Sequence, residues 1–225
     1  MPAYDALKNK QNELIRKALD GSVFLAPISA DPIAALTTAT GVSPNQVISL
    51  TTLPDDWDDL GFLTSDGASF ARDVSASEVT SWGSVTPTRT DVVTDTSTLT
   101  VTAQETKLLT IGLATGADLA AVLANATTGE VSIAKPSRPK SKHYRVLSLA
   151  VDEGDGGEIY IARFMPRAKV SSYAEQSFGG GDDPITWGVT LTGETDSDLG
   201  YSERWIFGGA GWKALLTDMG ISSAP

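Results

Sequence analysis

Four carboxylates flank one tryptophan in the run Asp55-Asp56-Trp57-Asp58-Asp59, and Asp182 and Asp183 form a second adjacent pair. Glycoside hydrolysis needs two carboxylates beside an aromatic platform, so these runs are the first candidates for chemistry. Acids adjacent in sequence are more often solvated turn residues and helix caps. Neither run offers a separated pair in a setting that would raise one pKa and leave the other low.

The remaining catalytic chemistries are poorly supplied. There is no cysteine, which excludes thiolate nucleophiles, cysteine zinc sites and disulfides. A Ser-His-Asp set has only His143 to use, and that residue sits beside a basic linker at the start of a strand-like run, where a surface or interface position is the simpler reading. No serine has glycine two residues before and two after it, so there is no nucleophile elbow. No glycine is followed directly by lysine, so there is no phosphate loop of the Walker type. "GGAGWK" (Gly208 to Lys213) opens a short helix and could face an anion, but a flexible turn feeding a packed helix is the better reading. "DEGDGGE" lacks the ligand spacing of a calcium loop and reads as a tight hairpin. No enzyme activity, metal or cofactor is expected.

Two stretches suit contact rather than reaction. Lys135, Arg138, Lys140, Lys142 and Arg145 put five of the 17 basic residues into eleven positions. With the rest of the chain acidic and only Tyr144 interleaved, a basic edge that meets an acidic surface on another copy is preferred over nucleic-acid binding. The second stretch is "EVTSWGSVTPTRTDVV" (Glu78 to Val93), a loop with Trp82, Val85 and Arg89 among hydroxyl residues. Read alone it could be a sugar-stacking site; only the family resemblance given below makes Trp82 and Val85 contacts for a partner copy.

The elements that must carry these residues follow from periodicity. The chain has 225 residues, 28 acids against 17 bases, a net charge of −11, and is 41% hydrophobic. That is ample for a core and too apolar for disorder. So acidic a chain repels nucleic acid and anionic membranes. The first nineteen residues carry no apolar run of the signal-peptide kind, and the longest such run, Leu119 to Ala124, is too short for a membrane span.

Tyr4, Leu7, Leu14, Ile15, Ala18 and Leu19 fall at helical spacing and predict an N-terminal amphipathic helix stopped at Asp20-Gly21. "SVFLAP" is a short strand, followed by a loop or extended arm to residue 46. From Val47 strands dominate. Asp66-Gly67 predicts a hairpin turn within residues 60–74. Leu99, Val101 and Ala103 alternate with Thr98, Thr100 and Thr102, as a strand with one buried face does. Residues 105–125 predict two short helices, and "EVSIA" a strand. Two long strands should join at "DEGDGG". Ile185, Trp187, Val189 and Leu191 define another strand, "GYSERWIFGG" one more, and Trp212, Leu215, Leu216 and Met219 a closing helix. With seven to nine strands, two to four helices and no βαβ alternation, the fold class is mainly β: a sandwich or barrel flanked by a short helix, with an N-terminal helix and arm (1–46) before the main domain (47–225).

The ordered set "LPDDWDDLGFLTSDGASFARDVSASEVTSWGSVTPTRTDV", "TLTVTAQETK" and "ITWGVTLTGETDSDLGYSERWIFGGAGWKALL" resembles the major tail protein, or tail tube protein, of long-tailed non-contractile phages of actinobacteria. The resemblance covers about residues 50 to 219. It implies a virion protein with no catalytic site or cofactor, a β-sandwich flanked by a helix, and six subunits per ring. Rings stack into a tube through which DNA passes without specific binding. It also implies the tail tape measure, tail terminator and distal tail proteins as partners, and no membrane. Glu158 and Glu194 are the acids placed on the lumen side. The competing readings are a carbohydrate-binding or adhesin-type β-sandwich using Trp57, Trp82 and Trp187 as sugar platforms, and a glycoside hydrolase.

Overall fold

A computed structural model describes residues 4–42, 46–117, 119, 122–138, 142–181 and 183–223. Ten strands are formed among them: β1 (Asp20–Pro27), β2 (Thr37–Thr40), β3 (Val47–Leu50), β4 (Asp58–Asp59), β5 (Leu63–Val79), β6 (Arg89–Ala103), β7 (His143–Gly154), β8 (Gly157–Tyr173), β9 (Trp187–Gly193) and β10 (Arg204–Gly208). Helices α1 (Leu108–Thr115) and α2 (Ala210–Ala214) complete the regular structure, with two 3-10 turns near the N-terminus. All pairing is antiparallel. The main sheet runs β4-β1-β7-β8-β9-β6-β5, and β10 lies against the first half of β8 while β9 lies against its second half. This is the mainly-β architecture expected, with β2 and β3 as a separate ribbon.

The sheet is rolled around one core. Val23 and Leu25 of β1, Leu99 and Val101 of β6, Val146 of β7, Met165 of β8 and Leu191 of β9 meet inside, under Leu109 and Leu113 of α1. A second core covers the outer face of β1, β7 and the start of β8, where Leu147, Ala162 and Phe164 pack beneath Ala30, Ile33, Leu36 and Trp57. Strands buried on both faces need no polar side, which is why "SVFLAP" and "EIYIARFM" read as nearly continuous apolar runs. Strands β6 and β9 are buried on one face only and alternate with threonine. In β8 an extra residue at Pro166-Arg167 shifts the register between Val146↔Met165 and Tyr144↔Ala168, so that Met165 and Ala168 both face inward.

Four local expectations are corrected. The N-terminal segment is not an amphipathic helix: Tyr4–Leu7 and Asn12–Leu14 are single 3-10 turns, and Tyr4, Leu7 and Ile15 are exposed. No apolar surface is there to take the helical face, and isolated short helices do not persist without one. "SVFLAP" is the expected strand, β1, but the loop or extended arm after it is packed on the body, since Ala30, Ile33 and Leu36 seal the second core and Thr37–Thr40 form β2. Asp66-Gly67 is not a hairpin turn. Gly67, at φ 62°, lies in the irregularity between the pairs Leu63↔Ala103 and Ala68↔Val101, inside one seventeen-residue strand. The "EVSIA" strand is not formed, residues 130–134 being irregular, while the predicted second helix falls partly on residues 118, 120 and 121, which lie outside the described residues.

Candidate assembly interface

Strands β5 and β6 run past the body as a two-stranded arm. From Ala71 to Val79, and from Arg89 to Asp95 on the returning strand, every residue is exposed. Nine residues at about 3.3 Å each give a ribbon about 30 Å long. The stretch Glu78 to Val93 is therefore the outer end of this ribbon, with strand at 78–79 and 89–93 around a turn at 80–88. Ser81 Oγ and Thr88 Oγ1 lie 2.9 Å apart across that turn, and the Thr88 N–H donates to the Val79 carbonyl at 2.8 Å.

Pairing sorts the arm into two faces. One continues the inner face of the barrel beyond Phe70↔Leu99 and carries Val74 and Ala76, with Val92 opposite Ala76. The Arg72–Asp95 ion pair, at 2.5 Å, bridges it. The other face carries Asp73, Ser75 and Ser77 opposite Thr96, Thr94 and Asp91. That hydroxyl face extends across β6 and β9, where Thr98 pairs with Thr192 and Thr100 with Thr190, their hydroxyls 3.0 Å apart in the second pair.

Trp82 and Val85 stand at the turn with side chains wholly exposed, at 106% and 102% relative accessibility. Arg89 is at the arm's end and holds Asp91 by two bonds, 2.6 and 3.0 Å, so its charge is half-compensated within its own strand. Lys135 and Arg138 are exposed on the irregular segment, and Lys142 is exposed just before β7. Lys140 lies outside the described residues. Arg145 of the same basic run is an internal tether instead: its guanidinium donates to the Ala30 and Pro166 carbonyls at 2.7 and 3.2 Å and pairs with Asp196 at 3.5 Å.

The two candidate acids differ in setting. Glu158 stands at the start of β8 and accepts a hydrogen bond from the Tyr160 hydroxyl, which pushes that phenol up to about 12. Glu194 follows Thr192 on the hydroxyl face, where it is bonded by Lys169, His143 (2.9 Å) and Arg167 (3.4 Å). The Lys169 ammonium first, then His143 and Arg167, hold its carboxyl at about 2, against desolvation that opposes them.

The residues with catalytic types are used structurally. Trp57 is 7% exposed and packs on Phe164 with ring centres 6.1 Å apart, so it is no sugar platform. Trp187 is half-buried and donates its indole N–H to Thr106 at 3.2 Å. Among the described residues no three His, Cys, Asp or Glu side chains cluster to hold a metal; Asp182 lies outside them. The glycines of "GGAGWK" serve close packing: a Cβ on Gly211 would stand 2.2 Å from the Gly157 carbonyl oxygen, and one on Gly209 2.3 Å from that of Glu158.

Trp82 and Val85 mark only the tip of the arm, and its exposed shaft adds further apolar side chains. Val74, Val79, Val92 and Val93 are exposed along it. So are Trp205 and Phe207 of β10, the latter stacked on Trp212 at 4.7 Å. The signal was present: residues 71–96 place serine, threonine or aspartate on both faces of both strands, which no packed sheet requires.

A rolled antiparallel sheet that sends out an exposed, apolar-tipped ribbon defines the class of this chain as a mainly-β protein. No curated protein matches the chain. It does match the family model of the phage tail tube protein over residues 8–207, and it belongs to that family. It is thus a structural protein of the tail tube and a component of the virion, in a family that is not one of enzymes. Among the described residues no helix is long and apolar enough to cross a membrane.

Proposed function

We propose that this chain forms rings, six copies to a ring, which stack into the tube of a long-tailed, non-contractile actinobacterial phage and conduct its DNA during ejection. The observation that carries this reading is the arm: about 30 Å of exposed ribbon with apolar side chains at its tip has no use within the monomer. The free edges of the sheet add support. Among the described residues β5 pairs only with β6, and β8 beyond Lys169 pairs only with β9, so the four strands β8-β9-β6-β5 present an open edge at either side. Open edges are aggregation hazards in a monomer and become joints in a closed ring.

The hydroxyl face of these four strands suits the wall of the channel. Threonine and serine keep it wet, and Asp73 gives it a charge that phosphate avoids, while Asp91 is offset by Arg89, so DNA slides without releasing counterions. Glu194 shares that face, with its charge offset by Lys169 and Arg167. Glu158 lies at the other end of β8. Trp82, Val85, Arg89 and the basic residues 135–142 make the contacts between copies. The tape measure protein occupies the lumen before DNA does, and the terminator and distal tail proteins close the two ends. No catalytic step is assigned to the chain.

Negative-stain microscopy of the purified protein at rising concentration tests this. Rings or hollow tubes with a regular axial repeat are expected. A protein that stays a monodisperse monomer, alone and with tail-initiation components added, overturns the reading.

A further inference from the structure

The rolled sheet does not close. Its two ends are β5 and the β4-β1 pair, and β4 covers β1 only at Phe24 and Leu25. The open edges of β5 and of the first half of β1 therefore flank a trough of about 890 Å³. Val23, Ala150 and Ile161 line its floor, and Phe62, Leu63 and Phe70 its wall. Phe62 is largely exposed beside it.

The trough carries marks of an absent occupant. Ser148, only 6% exposed, lines it with a buried hydroxyl that has no hydrogen-bond partner. A buried hydroxyl without a partner is costly, so it calls for one from outside. Asp20, Asp59 and Asp66 also line it, none of them in an ion pair among the described residues, beside the Lys107–Glu105 pair and Arg163, which is paired with Glu203.

We propose that the trough receives the tip of the β5–β6 arm of a second copy, with Trp82 and Val85 seated on the apolar floor. The choice of occupant rests on complementarity. Trp82 and Val85 are wholly exposed, and the trough is large enough for both. Within residues 80–89 the only charge is Arg89, which Asp91 already holds, so the tip enters as an apolar knob suited to the apolar floor. An incoming ribbon also meets unpaired backbone on the first half of β1 and can add strand hydrogen bonds there, leaving the β5 edge to the neighbouring copy in the ring. The arm continues β5 away from the body for about 30 Å, so its tip lies far from its own trough. Knob and hole then belong to different copies, a head-to-tail contact that repeats into rings or tubes. The inference deepens the proposed tube function and draws its biological setting from it.

Site-directed cross-linking tests it, helped by the absence of native cysteine. Full-length Val85→Cys is mixed with full-length Ala150→Cys under mild oxidation, and with Thr128→Cys as a surface control. Ala68→Cys, on the trough's other side, replaces Ala150→Cys if that variant does not fold. The tip–trough pair is expected to give at least about tenfold more mixed disulfide dimer than the control pair, because docking raises the local thiol concentration. A yield no higher than the control overturns the inference, whether or not tubes form. A high yield from a protein that never forms tubes sustains the docking contact and overturns the tube.

Discussion

Trp57 lies against Phe164 in the second core, while Trp82 has its whole side chain in solvent. Replacing each by alanine should separate stability from assembly. Trp57→Ala removes a packed aromatic and is expected to cost about 3–5 kcal/mol of folding free energy. Trp82→Ala should leave the melting temperature unchanged and abolish polymerisation, since a buried interface aromatic is worth at least about 2 kcal/mol per contact. Melting curves beside sedimentation read both. A Trp82→Ala protein that assembles normally removes the tip from the interface. Glu194 makes a second residue-scale prediction. Its folded pKa of about 2 lies below its ordinary 4.5, so the carboxylate stabilises the fold above pH 4.5 and loses that contribution as pH falls through about 2. Glu194→Gln should therefore narrow the gap in melting temperature between pH 6 and low pH. An unchanged gap means the Lys169, His143 and Arg167 cluster is not coupled to folding.

The arm as an element should be separable from the barrel, because nothing from Val74 to Asp95 is buried. Replacing those residues by an Asn-Gly turn between Asp73 and Thr96, which already pair, keeps the hairpin register. The expected product is a folded monomer, with a melting temperature close to the parent's, that stays monomeric at every concentration in the centrifuge. Loss of folding would place the arm in the monomer's core energetics. Strands with one buried face were legible in the sequence, as Leu99, Val101 and Ala103 alternating with threonines show. Gly67 misled because a glycine at positive φ serves a strand irregularity as well as a hairpin turn, and only the partner strand decides between them. Tyr4, Leu7 and Ile15 misled for a related reason: helical spacing predicts a helix only where a surface waits for the apolar side. The exposed tip of the arm was legible from Trp82 among its polar neighbours. The trough was not, because β1, β7, β8 and β5 come to it from four separate stretches of chain.

For the whole molecule, a net charge of −11 sets copies against one another, and the basic residues near 135–142 locally reverse that sign. A Lys135→Glu, Arg138→Glu double variant should melt like the parent and assemble more slowly by light scattering. The difference should shrink in about 1 M salt, where the screening length falls to about 3 Å. Equal rates in low salt would assign the basic run no part in association. The arm has one further consequence. A lone two-stranded ribbon is marginally stable in water, so in the free subunit it frays and its conformational entropy is removed only on docking. The first two copies to meet bear that cost against a single contact, whereas a copy joining a preformed ring bears it against several. On the proposed function, growth is then fast and initiation slow, with a lag that seeds abolish. The exposed ribbon thereby acts as a nucleation barrier, holding a crowded pool of subunits apart until a template is supplied.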